Sequence, residues 1–215
     1  MCSTGSVSVC VVDGWLYTAG GSQSSSSLKQ VERYDTRVNE WRPVEGMKLP
    51  RREFGMVGIE GRLYAVGGHN GVCEVDLCET FDPLTDTWSD IAHLNKPRRG
   101  HAVCTYGGKL FAVGGMCSSR VLDCIEKYNK GLEMWLIIKH TLDPRVGACV
   151  AEVRCDDGSG DLKNDKHLLF VIGGINGLHH HQRDVKMLDL KSVDYSIAPG
   201  TSLNFPGAYG GVVAL

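Results

Sequence analysis

The sequence predicts an all-β protein, built from four-stranded units that pack side by side around an axis. Two observations lead to this prediction: a repeat with a period of 47 residues, and a glycine content of 27 in 215 residues, where about 7% is usual. High glycine without a collagen-like period indicates many tight turns, and therefore many short strands. No segment shows a sustained 3.6-residue apolar period, so no helix is predicted.

Four classes of residue keep the 47-residue spacing. They are glycine doublets at Gly20-Gly21, Gly67-Gly68, Gly114-Gly115 and Gly173-Gly174; aromatic residues at Tyr34, Phe81 and Tyr128; tryptophans at Trp41, Trp88 and Trp135; and prolines at Pro50, Pro97 and Pro144. The fourth doublet comes 12 residues late, and the polar stretch 154–165 accounts for the excess. Beyond that insert the pattern returns in weaker form. Leu188 and Tyr195 stand seven residues apart, as Tyr34 and Trp41 do in the first unit.

Each unit is interpreted as an antiparallel meander of strands A to D, and the second unit shows this most clearly. Strand A covers 55–59, and a Glu-Gly turn leads into strand B at 62–68, which ends in the doublet. Strand C covers 78–81, and strand D covers 87–91. A glycine pair at a strand end permits positive φ and lets another backbone approach closely. The aromatic residue and the tryptophan supply bulk between adjacent sheets.

Sheets of this size must stack on their neighbours to bury both faces, and radial repetition achieves this. The predicted repeats are approximately 3–49, 50–96, 97–143 and 144–205, followed by a closing strand at 206–215. The whole chain, 1–215, is therefore predicted to be one β-propeller region of four blades plus one extra strand. The extra strand is one more than four blades use.

The motifs resemble the kelch repeat. One half of the pattern is seen in PRREFGMVGIEGRLYAVGG and PRRGHAVCTYGGKLFAVGG, and the other in ERYDTRVNEW, LCETFDPLTDTW and IEKYNKGLEMW. The similarity is greatest to the C-terminal propellers of BTB-kelch proteins, which usually have six blades and are closed by a C-terminal A strand. By this resemblance the chain looks like the last four blades and the closing strand of a partial propeller, an open arc that should expose apolar blade faces and be poorly soluble or self-associating. It implies a non-catalytic protein-interaction module that recognises substrates for a cullin ubiquitin ligase, with the cullin bound only through a BTB domain absent from this chain. An actin-binding kelch protein is the alternative. A few kelch propellers are copper oxidases, but no converging Tyr, His and Cys set can be placed here.

Antiparallel order places the B–C and D–A loops on one face of the propeller and the A–B and C–D turns, with the 154–165 insert, on the other. In kelch-like propellers the first face binds partners. Arginine presents a rigid donor fork suited to carboxylates, so the D–A arginines predict a positive patch for a protein or a short acidic peptide. The candidate partner-binding residues are Arg51, Arg52, Arg98, Arg99, Arg145, His69, Asn70 and Arg120. Alternatively, these arginines neutralise neighbouring loop carboxylates.

Composition excludes other classes of function. The net charge of −2 argues against a general nucleic-acid binder, and no apolar run approaches the roughly 20 residues of a membrane helix. Scattered cysteines and the lack of a signal peptide favour free thiols in the cytoplasm.

No P-loop, dinucleotide fingerprint or hydrolase triad is recognised, so neither catalysis nor a cofactor is expected. His179–His181 and the aspartates of the insert are interpreted as solvated loops rather than metal sites. His101 and Cys104 are interpreted as core residues.

Overall fold

The computed structural model describes residues 5–140, 143–155, 166–190, 196–204 and 207–208. Within these ranges the regular structure is entirely β, as predicted. The strands are β1 (Ser8–Val12), β2 (Trp15–Ala19), β3 (Ser22–Gln23), β4 (Ser26–Ser27), β5 (Val31–Asp35), β6 (Glu40–Val44), β7 (Gly55–Ile59), β8 (Arg62–Val66), β9 (Cys78–Asp82), β10 (Thr87–Ile91), β11 (Ala102–Tyr106), β12 (Lys109–Val113), β13 (Met116–Cys117), β14 (Arg120–Val121), β15 (Cys124–Asn129), β16 (Met134–His140), β17 (Cys149–Cys155), β18 (Lys166–Ile172), β19 (Asp184–Leu188) and β20 (Ser196–Ser202).

The strands form four antiparallel blades of four strands each. Blade 1 has the order β1-β2-β5-β6, blade 2 β7-β8-β9-β10, blade 3 β11-β12-β15-β16 and blade 4 β17-β18-β19-β20. This is the predicted meander in every unit. Two short hairpins, β3-β4 and β13-β14, were not predicted; they lie in the B–C loops of blades 1 and 3. Strand A of each blade packs beside strand A of the next, in the order β1, β7, β11 and β17.

The hydrophobic core is divided into three clusters, one at each contact between successive blades. Tyr17 of blade 1 meets Phe81 of blade 2 edge to face, with ring centroids 6.2 Å apart. Leu110 of blade 3 packs into the cluster with blade 2, and Leu169 of blade 4 into the cluster with blade 3. Because each blade buries its apolar face against the next, stability resides in nearest-neighbour interfaces.

In blades 1, 2 and 3 the aromatic residue and the tryptophan of the repeat stack across strands C and D. The ring centroids lie 5.1 Å apart for Tyr34 and Trp41, 5.1 Å for Phe81 and Trp88, and 5.4 Å for Tyr128 and Trp135.

Two of the three tryptophans also join their blade to the preceding one. The indole Nε1 of Trp88 donates to the Glu45 carbonyl at 2.8 Å, and that of Trp135 donates to the Ala92 carbonyl at 2.9 Å. Trp88 and Trp135 are buried, whereas Trp41 of blade 1 is 42% exposed. The prediction of inter-blade packing is therefore confirmed for two tryptophans and wrong for Trp41, because no preceding blade in the described part of the chain covers it.

Blade 1 exposes an apolar face on the side away from blade 2. The register Val11–Leu16–Tyr34–Trp41 runs across its four strands, so these residues share one face of the sheet. Val9, on the same side of β1, is 54% exposed, and Val11 is 61% exposed. The exposed apolar face expected of an open arc is present, and self-association stays a prediction.

The glycine doublets lock each blade to the loop that begins the next. All eight doublet glycines have positive φ, as predicted. In blade 3, the Gly115 amide donates to the Arg145 carbonyl at 2.6 Å. A Cβ at Gly114 would lie 2.5 Å from the same oxygen. After blade 4, Gly174 donates in the same way to Gly207 at 2.7 Å, so the chain there enters another D–A loop. The rest of the predicted closing strand, Tyr195 and residues 156–165 of the insert lie outside the described residues.

Replacing Gly114 with alanine is expected to destabilise the protein much more than replacing Gly107. Both glycines have positive φ, but a Cβ at Gly107 meets nothing within 4 Å. The Gly107→Ala variant should lose about 1–2 kcal/mol for the left-handed backbone alone. The Gly114→Ala variant should lose about 1–3 kcal/mol more, because its Cβ overlaps a backbone oxygen that cannot move aside cheaply. Urea unfolding of both variants measures the difference, and equal losses would contradict this account of the doublet.

Candidate functional site

The B–C and D–A loops meet on one face, as predicted. Isolated bridges join Arg52 of a D–A loop to His69 of a B–C loop, and Arg99 to Met116 in the next blade. We use the name loop face for the B–C loops, residues 22–28, 69–75, 116–121 and 175–183, together with the D–A loops, residues 45–54, 92–101 and 143–148.

The first arginine of the D–A loop that opens blade 2 is buried inside the blade. Arg51 has no exposed surface. Its Nη1 donates to the carbonyls of Gly67 at 2.6 Å and Leu77 at 2.7 Å. Its Nε and Nη2 both donate to Glu79 Oε1, at 3.1 and 2.8 Å. The guanidinium thus ties the doublet and strand C to the incoming loop.

The same arrangement recurs in blades 3 and 4. Arg98, also fully buried, pairs with Glu126, and Arg145 makes a two-pronged contact with Asp184. Nη1 of each arginine also donates to the carbonyl of the first doublet glycine, at 3.0 Å in blade 3 and 2.9 Å in blade 4. Burial alone would raise the pKa of Asp184, but the guanidinium more than offsets this and holds that pKa below its usual value.

These contacts correct the prediction that Arg51, Arg98 and Arg145 touch a partner. Their side chains are at most 3% exposed and are committed to carboxylates. The alternative interpretation, in which the arginines neutralise loop carboxylates, describes them correctly. A guanidinium without a counter-charge could not be buried here at an acceptable free-energy cost.

The second arginine of each pair lies nearer the surface. Arg99 is 28% exposed and donates to Glu53 at 2.7 Å and Glu74 at 3.0 Å. Partial burial opposes its charge, but these two carboxylates raise the pKa of Arg99 above its usual value. Arg52 is half-buried and donates from Nη1 to the Ser25 carbonyl at 2.7 Å. Two carboxylates that sequence reasoning missed, Glu53 and Glu74, therefore make the charge of the loop face mixed rather than positive.

The remaining predicted residues lie on the B–C loops. Asn70 accepts amide hydrogen bonds from Val72 and Cys73 and so caps its own loop. Burial, with Arg52 nearby, lowers the pKa of His69 and keeps its ring neutral at pH 7. Arg120 is exposed. The structure brings Arg52, His69 and Asn70 together between blades 1 and 2, with Arg120 one blade further on.

A cavity of about 410 Å³ opens on the propeller axis beside the loop face, lined by residues of all four blades. Its wall includes Ser6, Ser8, Glu53, Phe54, His101 and Ala148. Each D–A loop has a residue in the left-handed region here, and in blade 2 that residue is Glu53, with φ 51°. A non-glycine residue in this region costs about 1–2 kcal/mol. The ion pair with Arg99 helps to hold Glu53 in place.

His101 and Cys104 are core residues, as the sequence predicted. Burial lowers the pKa of His101 to about 3 and raises the pKa of the Cys104 thiol to about 12. Neither ring nitrogen of His101 has a hydrogen-bond partner among the described residues. A neutral imidazole and an un-ionised thiol form no nucleophile–base pair.

In the part of the chain that the structure describes, no cluster of three or more His, Cys, Asp or Glu side chains could hold a metal ion. His179, His180 and His181 are exposed. No disulfide joins the described cysteines, which are Cys10, Cys73, Cys78, Cys104, Cys117, Cys124 and Cys149. Over the same described ranges, no helix has the length and apolarity needed to cross a membrane.

This architecture defines a β-propeller of four blades. The kelch motif matches residues 3–48, 50–95 and 97–132, which is more than half of the chain. The chain therefore belongs to the kelch-motif family. Blade 4 lies outside the matched segments but has the same strand order.

Comparison with known proteins supports the fold. A solved structure titled "Structure of YjhT" matches with a TM-score of 0.76 at 15% identity, covering 95% of this chain and 67% of that one. At this identity the match shows a shared fold alone. In all, 230 chains of solved structures match. No curated protein matches this chain.

Proposed function

We propose that this propeller is a non-catalytic protein-interaction module whose loop face binds a partner protein. The observation that carries the proposal is the buried arginine of blades 2, 3 and 4, which fixes each D–A loop against the doublet and strand C that flank a B–C loop, around an open axial cavity. Loops held by a rigid scaffold are where binding residues concentrate. The kelch motif supports the same general role.

The exposed cations of the loop face favour an acidic segment of the partner. Arg120 is exposed, and Arg52 uses one of its five N–H donors on Ser25, so both can donate to a carboxylate. Arg99 is already neutralised by Glu53 and Glu74. We therefore assign the leading contacts to Arg52 and Arg120, with His69 and Asn70 beside them.

The cellular role we propose is substrate recognition for a cullin ubiquitin ligase in the cytoplasm. The cullin would be engaged through a BTB domain. The second candidate is binding to actin, which kelch propellers also provide. Co-sedimentation with filamentous actin distinguishes the two.

The combined Arg52→Ala and Arg120→Ala variant is expected to weaken partner binding about tenfold or more. The half-buried Arg52 should supply most of this loss, because a partly desolvated arginine contributes about 1–2 kcal/mol to binding. The exposed Arg120 should add little. The measurement is the dissociation constant for a partner first captured with the wild-type propeller. Arg42→Ala, an exposed arginine on β6 away from the loops, is the matched control.

Unchanged binding by the double variant at both low and moderate salt would contradict the assignment to the loop face. If the partner is instead lost when substitutions are made on the A–B and C–D turns, the opposite face is the binding surface.

A further inference from the structure

A run of four serines, residues 24–27, lies in the B–C loop of blade 1, on the loop face. The strands β3 and β4 pair as a hairpin, and Ser24 and Ser25 form the two-residue turn between them. Both turn residues have positive φ, 46° and 82°, a conformation that Asn-Gly and Gly-Gly pairs adopt more readily. The backbone of the turn therefore does not account for the serines.

The hairpin is anchored to its neighbours, whereas its tip is free. The Ser27 Oγ donates to the His69 carbonyl of the next B–C loop at 2.9 Å. The amides of Gly5 and Ser22 donate to each other's carbonyls, at 3.0 and 2.7 Å. Residues 24–26 are exposed, and none of their hydroxyls hydrogen-bonds to a described residue. A fixed hairpin thus presents free serine hydroxyls at the surface.

An arginine of the neighbouring D–A loop lies beside this turn. Arg52 donates from Nη1 to the Ser25 carbonyl at 2.7 Å. A guanidinium has five N–H donors, so most of them remain available. No carboxylate in the described part of the chain forms an ion pair with Arg52. A positive charge without a counter-charge is therefore held next to an exposed serine.

Blade 3 shows that the hairpin does not require this arginine. Its B–C loop forms the similar hairpin β13-β14, with Ser118 and Ser119 in the turn. Two repeats after Ser25 stands Ser119, and two repeats after Arg52 stands Val146. The neighbouring D–A loop there supplies an apolar residue in place of the cation. The arginine beside the turn is thus a feature of blade 1 that the fold itself does not demand.

We propose that Ser25 is a phosphorylation site and that Arg52 holds the phosphoryl group. In the transfer, the Ser25 Oγ bonds to the γ-phosphorus of ATP while the bond from that phosphorus to the bridging oxygen breaks. ADP leaves with the electron pair of the broken bond, and the hydroxyl proton passes to a base of the protein kinase. The product has a charge of about −1.5 to −2 at pH 7 and three acceptor oxygens, which suit the free N–H groups of Arg52.

The modification would change the charge of the loop face. Arg99 is already paired with Glu53 and Glu74. A phosphoryl group on Ser25 would occupy Arg52 and add negative charge beside it, so an acidic partner segment would be repelled. This consequence rests on the proposed function, whereas the phosphorylation site does not.

Mass spectrometry tests the modification itself. The full chain is incubated with ATP and a cytosolic extract that contains serine kinases, and the phosphorylated positions are then identified. Phosphate is expected on Ser25, and the Ser25→Ala variant should lack the phosphate at this turn. The absence of phosphate from Ser25 would overturn the proposal.

Phosphorus NMR of the full chain with phosphoserine incorporated at position 25 tests the role of Arg52. The second pKa of a phosphoserine is ordinarily about 6, and a nearby cation lowers it by favouring the dianion. The acid dissociation constant should therefore be about threefold or more higher than in the same chain with Arg52→Ala. Arg52→Lys should keep part of the effect. Arg120→Ala, on another loop of the same face, is the control and should keep all of it.

Equal dissociation constants with and without Arg52 would overturn the assignment of the phosphate to this arginine. The partner captured with the wild-type propeller then gives a separate result: phosphorylation should weaken its binding tenfold or more. If Arg52 shifts the phosphate titration but the partner binds unchanged, the phosphorylation site is supported and the proposed binding surface is contradicted.

Discussion

Replacing Arg98 with alanine is expected to destabilise the protein by about 3–5 kcal/mol, the typical cost of leaving one member of a buried ion pair alone. Glu126 would remain fully buried with its charge uncompensated. The carbonyl of Gly114 would also lose a donor. Urea unfolding followed by fluorescence measures the change in the free energy of unfolding.

The matched control for this prediction is Arg52→Ala. Arg52 is half-buried and lies in the same class of loop, but it donates only to one carbonyl, so a loss within about 1 kcal/mol is expected. Restoring a neutral partner by combining Arg98→Met with Glu126→Gln should recover part of the stability, since the lone charge is then gone. A small effect of Arg98→Ala, equal to that of Arg52→Ala, would show that the buried pairs do not hold the loops.

Trp135→Ala should cost about 3–5 kcal/mol, in the range for a large buried aromatic side chain. Trp135 is 2% exposed and fills the space between blades 2 and 3. It also donates to the Ala92 carbonyl of the preceding blade. Both the packing and the hydrogen bond are lost in the variant.

Trp41 provides a control at the same position of the repeat. It is 42% exposed and is not covered by a preceding blade in the described chain, so Trp41→Ala should cost about 1 kcal/mol, chiefly its contact with Tyr34. Thermal unfolding of the two variants side by side gives the comparison. Similar losses would contradict the view that the tryptophan stabilises mainly the contact between blades.

Most of the fold could be predicted from local sequence patterns. The strands of blade 2 begin where the sequence indicates, because turn residues and glycines punctuate each strand locally. The common face of the B–C and D–A loops follows from antiparallel order alone. Burial of Trp41 could not be read from the same pattern, because it depends on whether another blade lies beside blade 1.

The role of the D–A arginines could not be predicted from the sequence, because it depends on carboxylates that lie far away in the chain. A Pro-Arg-Arg run looks alike whether its first guanidinium is buried or exposed, and Arg51 meets Glu79, 28 residues away. One signal was available: Glu32, Glu79 and Glu126 recur with the 47-residue period. Glu32 is exposed in blade 1, the blade whose D–A segment lacks the Pro-Arg pair.

The tryptophan hydrogen bonds have a direction that bears on protein synthesis. Trp88 and Trp135 both reach towards the blade that precedes them in the chain. Blades 2 and 3 therefore each find their acceptor carbonyl on a part of the chain synthesised earlier, and each can dock without waiting for the rest of the chain.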